Sequence, residues 1–254
     1  MERIKIDIIQ LGNSRHLEQW RFIDKLVRSK KSKIFEVISV KNVSLPNAEF
    51  DWAYHDYQLS ELMPRASSNA NIMIGFIDYP LEDNYFLRKV SNCAAVATFY
   101  ETYDLMADAN IDPNNFILLT IYICCTIFVQ EQCEIENMES LFHDEARGCL
   151  FDMAGIKSDI LLSTSHPHLC YECETHLRGC VIDREYIPTL KRELRRIKKT
   201  RYYRIIEWIK RHPILSIIIT SIFTIMLNLI SNLIFQLLWD NFLSAVLLPW
   251  LNVK

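Results

Sequence analysis

Glycine is scarce in this chain, five residues in 254, while half of the residues are hydrophobic and 23% are charged. That balance excludes a disordered polypeptide and leaves room for one domain of ordinary size plus an appendage. No intact HExxH occurs anywhere, so the helical pattern in which two histidines and a glutamate serve a catalytic zinc is missing. The opening residues MERIKIDIIQ lack the basic start, apolar core and small-residue cleavage site of a signal peptide. The expectation is a head that stays in the cytoplasm, where eight cysteines serve as thiols or metal ligands rather than disulfides. Charge is absent altogether from Ile214 to Trp239.

What is present is most legible between His143 and Cys173, HDEARGCLFDMAGIKSDILLSTSHPHLCYEC. Cys170 and Cys173, separated by two residues, reach one tetrahedral metal from a single tight turn, and Cys149 stands twenty-one positions before Cys170. This is the spacing of a zinc knuckle. The fourth ligand stays open among His143, Asp144, His166 and His168. A redox role for the CxxC ranks lower, because the pair follows a loop with two His and Pro167 rather than opening a helix after a strand.

The same stretch resembles the C-terminal half of the archaemetzincins, metzincin-type zinc metalloproteases with an HExxHxxGxxH signature followed at once by a four-cysteine zinc site. With His143 in the place of the third histidine, the earlier positions are Cys133, Glu134, Asn137 and Ser140, so the signature reads CExxNxxSxxH. The resemblance implies a structural zinc on Cys149, Cys170 and Cys173, with Asp144 where the family has its first structural cysteine. Activity would need Glu134 to take a proton from a bound water. Asn137 is a poor zinc ligand and Cys133 replaces an imidazole, so the same alignment implies lost catalysis. In layout the resemblance covers residues 1–182; its motifs lie within 133–173.

Read in order, Ile4 to Leu11 is a strand ended by Gly12, and Asn13-Ser14 starts a helix carrying Leu17, Trp20, Ile23 and Val27. Lys33 to Val40 and Asn71 to Ile77 are further strands, Trp52 to Met63 an amphipathic helix closed by Pro64, and Phe86 to Tyr100 is strand-like. The apolar run from Phe116 is too short to cross a bilayer and is expected as a buried helix with Cys124 and Cys125 in the core. These elements predict an α+β class with a metzincin-like mixed sheet, helices and a zinc knuckle in residues 1–182.

Ten Lys and Arg stand against Glu193 and Glu207 between 191 and 212. Because the whole chain is at −3 and 213–254 carry only Asp240 and Lys254, residues 1–190 are left at −11. The basic stretch has an apolar side, Leu190, Leu194, Ile197, Tyr202, Ile205, Ile206 and Ile209. Residues 183–212 therefore read as a basic juxtamembrane helix laid on anionic lipid, and nucleic acid is not expected as a partner. The uncharged stretch within 213–239, about 39 Å as a helix, is the expected single transmembrane span. The positive-inside rule then puts the head on the cytoplasmic side of the inner membrane and the 240–254 tail, with its Trp250, in the far interface.

Within the span Ser216, Thr220, Thr224, Asn228, Asn232 and Gln236 recur every fourth residue and form one slowly winding stripe. Such amides in hydrocarbon call for partners, so self-association through Thr220, Thr224, Asn228, Asn232 and Gln236, or a pore, is expected. Two functions compete: a catalytically inactive zinc-binding sensor or effector answering an unidentified ligand or protein, or a membrane-tethered zinc peptidase acting on cytoplasmic proteins. The broken signature favours the first, a plan shared with small membrane effectors of bacterial antiphage defence.

Overall fold

Strand β1, Ile4–Leu11, is an interior strand of a five-stranded sheet of order β2-β1-β3-β5-β4. Its partners are β2 (Phe35–Val43) and β3 (Ile72–Ile77), both parallel to it; β3 pairs in parallel with β5 (Ala94–Thr98), and β4 (Leu87–Ser91) closes the edge antiparallel to β5. The computed structural model describes residues 2–13, 20–25, 31–45, 52–64, 69–131, 135, 141–199 and 201–239. They fall into two units, Met1–Thr200 and Arg201–Lys254. Parallel strands covered on both faces must be apolar throughout, and β3, IMIGFI, is buried at every position. Ile4, Ile6 and Ile8 enter the larger core, while Ile9 and Leu11 enter a smaller one with Tyr54, Leu59, Leu81 and Val96. Gly12 ends β1 at φ +79°, where a Cβ would also lie 2.7 Å from Leu45.

The α+β expectation holds, with local corrections. Phe86 to Tyr100 is not one strand but the β4–β5 hairpin, turning at Asn92-Cys93 without Gly or Pro to mark it. The helix expected from Trp52 is Asp56–Leu62, with the amide of His55 donating to the Gln58 side chain and Trp52 exposed. Residues 20–25 are helical with Ile23 buried; Leu17 and Val27 lie outside the described residues.

The apolar run from Phe116 forms helix Asn114–Gln130, in which every residue from Asn115 to Phe128 except Leu118 is buried. A helix apolar on all sides belongs inside a core. Phe116 packs edge-on against Phe86 and Phe99, and Tyr122 against Phe35, which seats the helix on the sheet. Cys124 and Cys125 are fully buried, and burial pushes the Cys124 thiol up to about 12.

The largest departure concerns residues 183–212. Helix Tyr186–Leu194 buries Tyr186, Ile187, Leu190 and Leu194 in the main core, so the unit runs to Thr200 and not to residue 182. Glu193, 1% exposed, accepts hydrogen bonds from Ser32 Oγ at 2.6 Å, the Lys33 amide at 2.8 Å and Tyr122 Oη at 2.9 Å. A carboxylate is tolerated there because these donors replace water. Among the described residues, the second unit consists of Arg201–Arg211, a separate amphipathic helix, and Pro213–Leu238 with the residues beside them. Pro213 stands at the first turn of the long helix, where its missing amide costs nothing. None of that helix's described residues is buried, and it is long and apolar enough to cross a membrane. The 240–254 tail lies outside the described residues.

Candidate metal centre

Two short backbone bridges assemble the site. The His143 amide donates to the Phe151 carbonyl at 3.1 Å and the Met153 amide to the His143 carbonyl at 3.0 Å, so the chain from 143 to 153 folds back on itself. The Leu150 amide donates to the His168 carbonyl at 2.8 Å and the His168 amide to the Gly148 carbonyl at 3.1 Å, which brings Cys149 beside the CxxC. Gly148, at φ +78°, makes the bend that precedes Cys149. Cys170 is the N-cap of helix Tyr171–Gly179, its sulfur accepting from the Cys173 amide at 3.5 Å. The CxxC thus does open a helix, contrary to the reading from sequence, although a loop and not a strand leads into it.

The ligand atoms of His143, Cys149, Cys170 and Cys173 all lie within 4.8 Å of one another. Cys149 Sγ is 3.9 Å from Cys173 Sγ, and Cys170 Sγ is 3.7 Å from His143 Nε2. Four ligands of a tetrahedral zinc at about 2.0–2.3 Å stand roughly 3.3–3.8 Å apart, so these spacings fit such an ion. A disulfide would need about 2 Å between sulfurs, and these cysteines are free. The amide of Cys170 donates to Cys149 Sγ at 3.4 Å, a contact that favours thiolate.

The thiol of Cys173 donates to Cys149, and that hydrogen bond, joined by the amides of Phe151 and Cys170 and by His143, holds the Cys149 thiol down at about 4 against burial. The same bond, with burial, pushes Cys173 far up. Burial pulls His143 down, but the Cys149 thiolate and the Asp152 charge outweigh it and leave the ring more basic than usual. Without a metal the cluster therefore holds its protons unequally, with Cys149 the more acidic sulfur and Cys173 the less acidic one. A cation that takes all four atoms must release them.

His143 is the member of the four candidates that the fold brings to the cysteines. Asp144, the next residue, is exposed and outside the group, because the backbone bonds of His143 turn its own side chain inward and the following one out. His166 and His168 are exposed; His168 contributes through its backbone. Cys133, Glu134, Asn137 and Ser140 lie outside the described residues. Sequence reasoning missed Asp152, whose Oδ2 accepts from the amides of Arg147, Gly148 and Cys149 at 3.0, 2.6 and 3.0 Å. An acidic residue three positions after Cys149, across a tight turn, was the available signal. A cleft of about 360 Å³ lies beside β4, with Arg88, Lys89, Phe142 and Met153 among its lining.

In the long helix the stripe divides. Ser216, Thr220 and Thr224 donate to carbonyls of their own helix, at Pro213, Ser216 and Thr220, over 2.7–2.9 Å. The side chains of Asn228, Asn232 and Gln236 make no hydrogen bond among the described residues.

No protein-family model matches the chain, and no curated protein matches it. Two solved structures are similar to it. Archaemetzincin from Methanopyrus kandleri aligns at 15% identity and TM-score 0.44 over 70% of this chain and 95% of that one. Archaemetzincin from Archaeoglobus fulgidus, complexed with malonate, aligns at 14% identity and TM-score 0.37 over 68% of this chain and 99% of that one.

Proposed function

We propose that this chain is a single-pass, membrane-anchored sensor or effector with a zinc-stabilised, catalytically inactive head. One observation carries the reading: a group of one histidine and three cysteines in the first unit shares the chain with a 26-residue helix that has no charge and no buried residue. Three thiolates and an imidazole in a tetrahedron select zinc over hard cations. Helix Arg201–Arg211 supports an interfacial role, since Tyr202, Ile205 and Ile209 are exposed along one side while Lys210 and Arg211 supply positive charge for anionic lipid. The basic stretch before the span supports a cytoplasmic head at the inner membrane. The cleft beside β4 is a place for the activating ligand or protein.

The output in this reading is self-association of the span, as a signalling oligomer or a pore, in the manner of bacterial antiphage effectors. Asn228, Asn232 and Gln236 support it, since amides without a partner in hydrocarbon favour pairing with the same residues of another copy. The test is cross-linking of single cysteines placed along the span in membranes, paired with a potential-sensitive dye after induction. Asn228→Leu with Asn232→Leu should abolish both the periodic cross-links and the output, while Ile222→Leu with Ile230→Leu should change neither. Uniform weak cross-linking together with full activity of the first variant would reduce the span to an anchor. Glu134→Gln should leave the output intact; its loss in a folded protein would restore the peptidase reading.

A further inference from the structure

We propose that Asp152 is a reserve ligand of the centre, its Oδ1 taking the metal in place of the His143 imidazole when that ring is absent or displaced. The inference rests on the reading of His143, Cys149, Cys170 and Cys173 as a metal site. Its own evidence is the carboxylate. Asp152 is 2% exposed, and its Oδ2 is committed to the three amides of 147–149, which fixes the plane and direction of the group. The remaining oxygen, Oδ1, is buried and has no hydrogen-bond partner. A buried carboxylate oxygen without a donor is costly and needs an explanation.

The neighbouring ring does not supply one. His143 Nδ1 lies 3.0 Å from the Glu145 carbonyl oxygen. A carbonyl only accepts, so Nδ1 carries the proton, and in the neutral ring Nε2 is a bare lone pair. That atom is 3.7 Å from Asp152 Oδ1 and 3.7 Å from Cys170 Sγ. Protonating Nε2 as well would still leave 3.7 Å to Oδ1, beyond hydrogen-bond length. The nitrogen lone pair and the unpartnered carboxylate oxygen therefore face each other at 3.7 Å, with the Cys170 sulfur on the nitrogen's other contact, an arrangement that a cation resolves.

A tetrahedral zinc takes four donors, which His143 and the three cysteines supply, and Asp152 Oδ1 stands beside the nitrogen as a further oxygen. Oδ1 lies 3.7 Å from the His143 nitrogen and outside the four grouped atoms, so the position it would take on an ion is the one the imidazole leaves. If Asp152 served the turn alone, asparagine would do equally well, since its amide oxygen accepts the same three amides.

The experiment compares the full chain in detergent with its His143→Ala, Asp152→Asn and doubly substituted variants, titrated with Co(II) and then Zn(II), with circular dichroism as the folding control. Wild type and Asp152→Asn should bind one ion with affinities within a few-fold of each other. His143→Ala should still bind one ion, about 10–100-fold more weakly, with its visible Co(II) bands moved to lower energy as oxygen replaces nitrogen. The double variant should lose binding by more than the two single losses combined. Equal binding by His143→Ala and the double variant, or no binding by His143→Ala, would overturn the proposal. If the double variant does not fold, added imidazole decides on His143→Ala alone: it leaves the Co(II) bands unchanged when Asp152 holds the ion, and restores the wild-type bands when only water fills the position. Absence of metal from the wild type would instead overturn the metal centre itself.

Discussion

Helices Asn114–Gln130 and Pro213–Leu238 are the long apolar helices among the described residues, yet one is hidden and the other bare. At 17 residues the first spans about 26 Å and falls short of a bilayer core of about 30 Å; at 26 residues the second spans about 39 Å and exceeds it. Their polar residues differ in the same sense. In the first, Asn115 donates to the Thr164 carbonyl at 2.9 Å, Tyr122 to Glu193, and Thr126 lies 3.0 Å from Tyr186 Oη, all partners from elsewhere in the fold. In the second, Ser and Thr turn back on their own helix and the amides of Asn228, Asn232 and Gln236 find no partner among the described residues. The first helix is enclosed by its own protein, whereas the second has no buried residue among those described.

The most drastic way to break the comparison is to remove the second helix. A chain ending at Thr200 should move entirely to the soluble fraction while the full chain resists alkaline extraction from membranes; a full chain found equally in the soluble fraction would mean the long helix is covered by protein. Next in size is the metal. Cys170→Ser with Cys173→Ser should lose zinc on elemental analysis and unfold the head, since a structural zinc contributes on the order of 10 kcal/mol. Full metal occupancy in that variant would place the ion elsewhere.

A matched pair of phenylalanines sharpens the contrast. Phe116→Ala, between Phe86 and Phe99, should destabilise the head by about 3–5 kcal/mol in denaturant melts followed by tryptophan fluorescence. Phe223→Ala, exposed on the long helix, should shift the same melt by less than about 0.5 kcal/mol. Equal shifts would show that the span contributes to the head's core.

The smallest effect belongs to the ion pair joining helix Tyr171–Gly179 to helix Tyr186–Leu194. Lys191 Nζ lies 2.9 Å from Glu174 Oε2, and this bond first, then Arg178, holds the Glu174 carboxyl below its ordinary value. A depressed carboxyl stabilises the fold above its unfolded value, about 4.3, and that stability is lost as pH falls through the lower folded value. Glu174→Gln should therefore cost about 0.5 kcal/mol at pH 7, and the difference from wild type should vanish in acid. A difference that persists unchanged at low pH would assign the effect to packing.

How much of this could be read beforehand depended on the reach of each signal. The pattern of β1 is local and matched the structure from Ile4 to Leu11, and the buried helix was legible from its length and uniform apolarity. The β4–β5 hairpin was not, because Asn92-Cys93 has neither the Gly nor the Pro that punctuates a turn most strongly. Glu193 read as one more charge in a basic helix, and only Ser32, Lys33 and Tyr122, between 71 and 161 residues away, make it an interior group. Its helix was assigned to the membrane collar for the same reason: an apolar stripe at helical spacing looks alike whether it meets lipid or a core.

By itself the sequence determined that one helix is too short and one long enough for a bilayer, that the class is α+β, and that Cys149, Cys170 and Cys173 stand at knuckle spacing. These follow from length, periodicity and residue type along a few turns of chain. Tertiary structure decided which helix stripe is core, that His143 and not the adjacent Asp144 faces the sulfurs, and that Asp152 buries its second oxygen 3.7 Å from the His143 ring nitrogen. Neighbours in sequence point in opposite directions, and which of them faces inward is set by backbone bonds to residues well beyond the next turn of chain, such as those of His143 with Phe151 and Met153 and of Gly148 and Leu150 with His168.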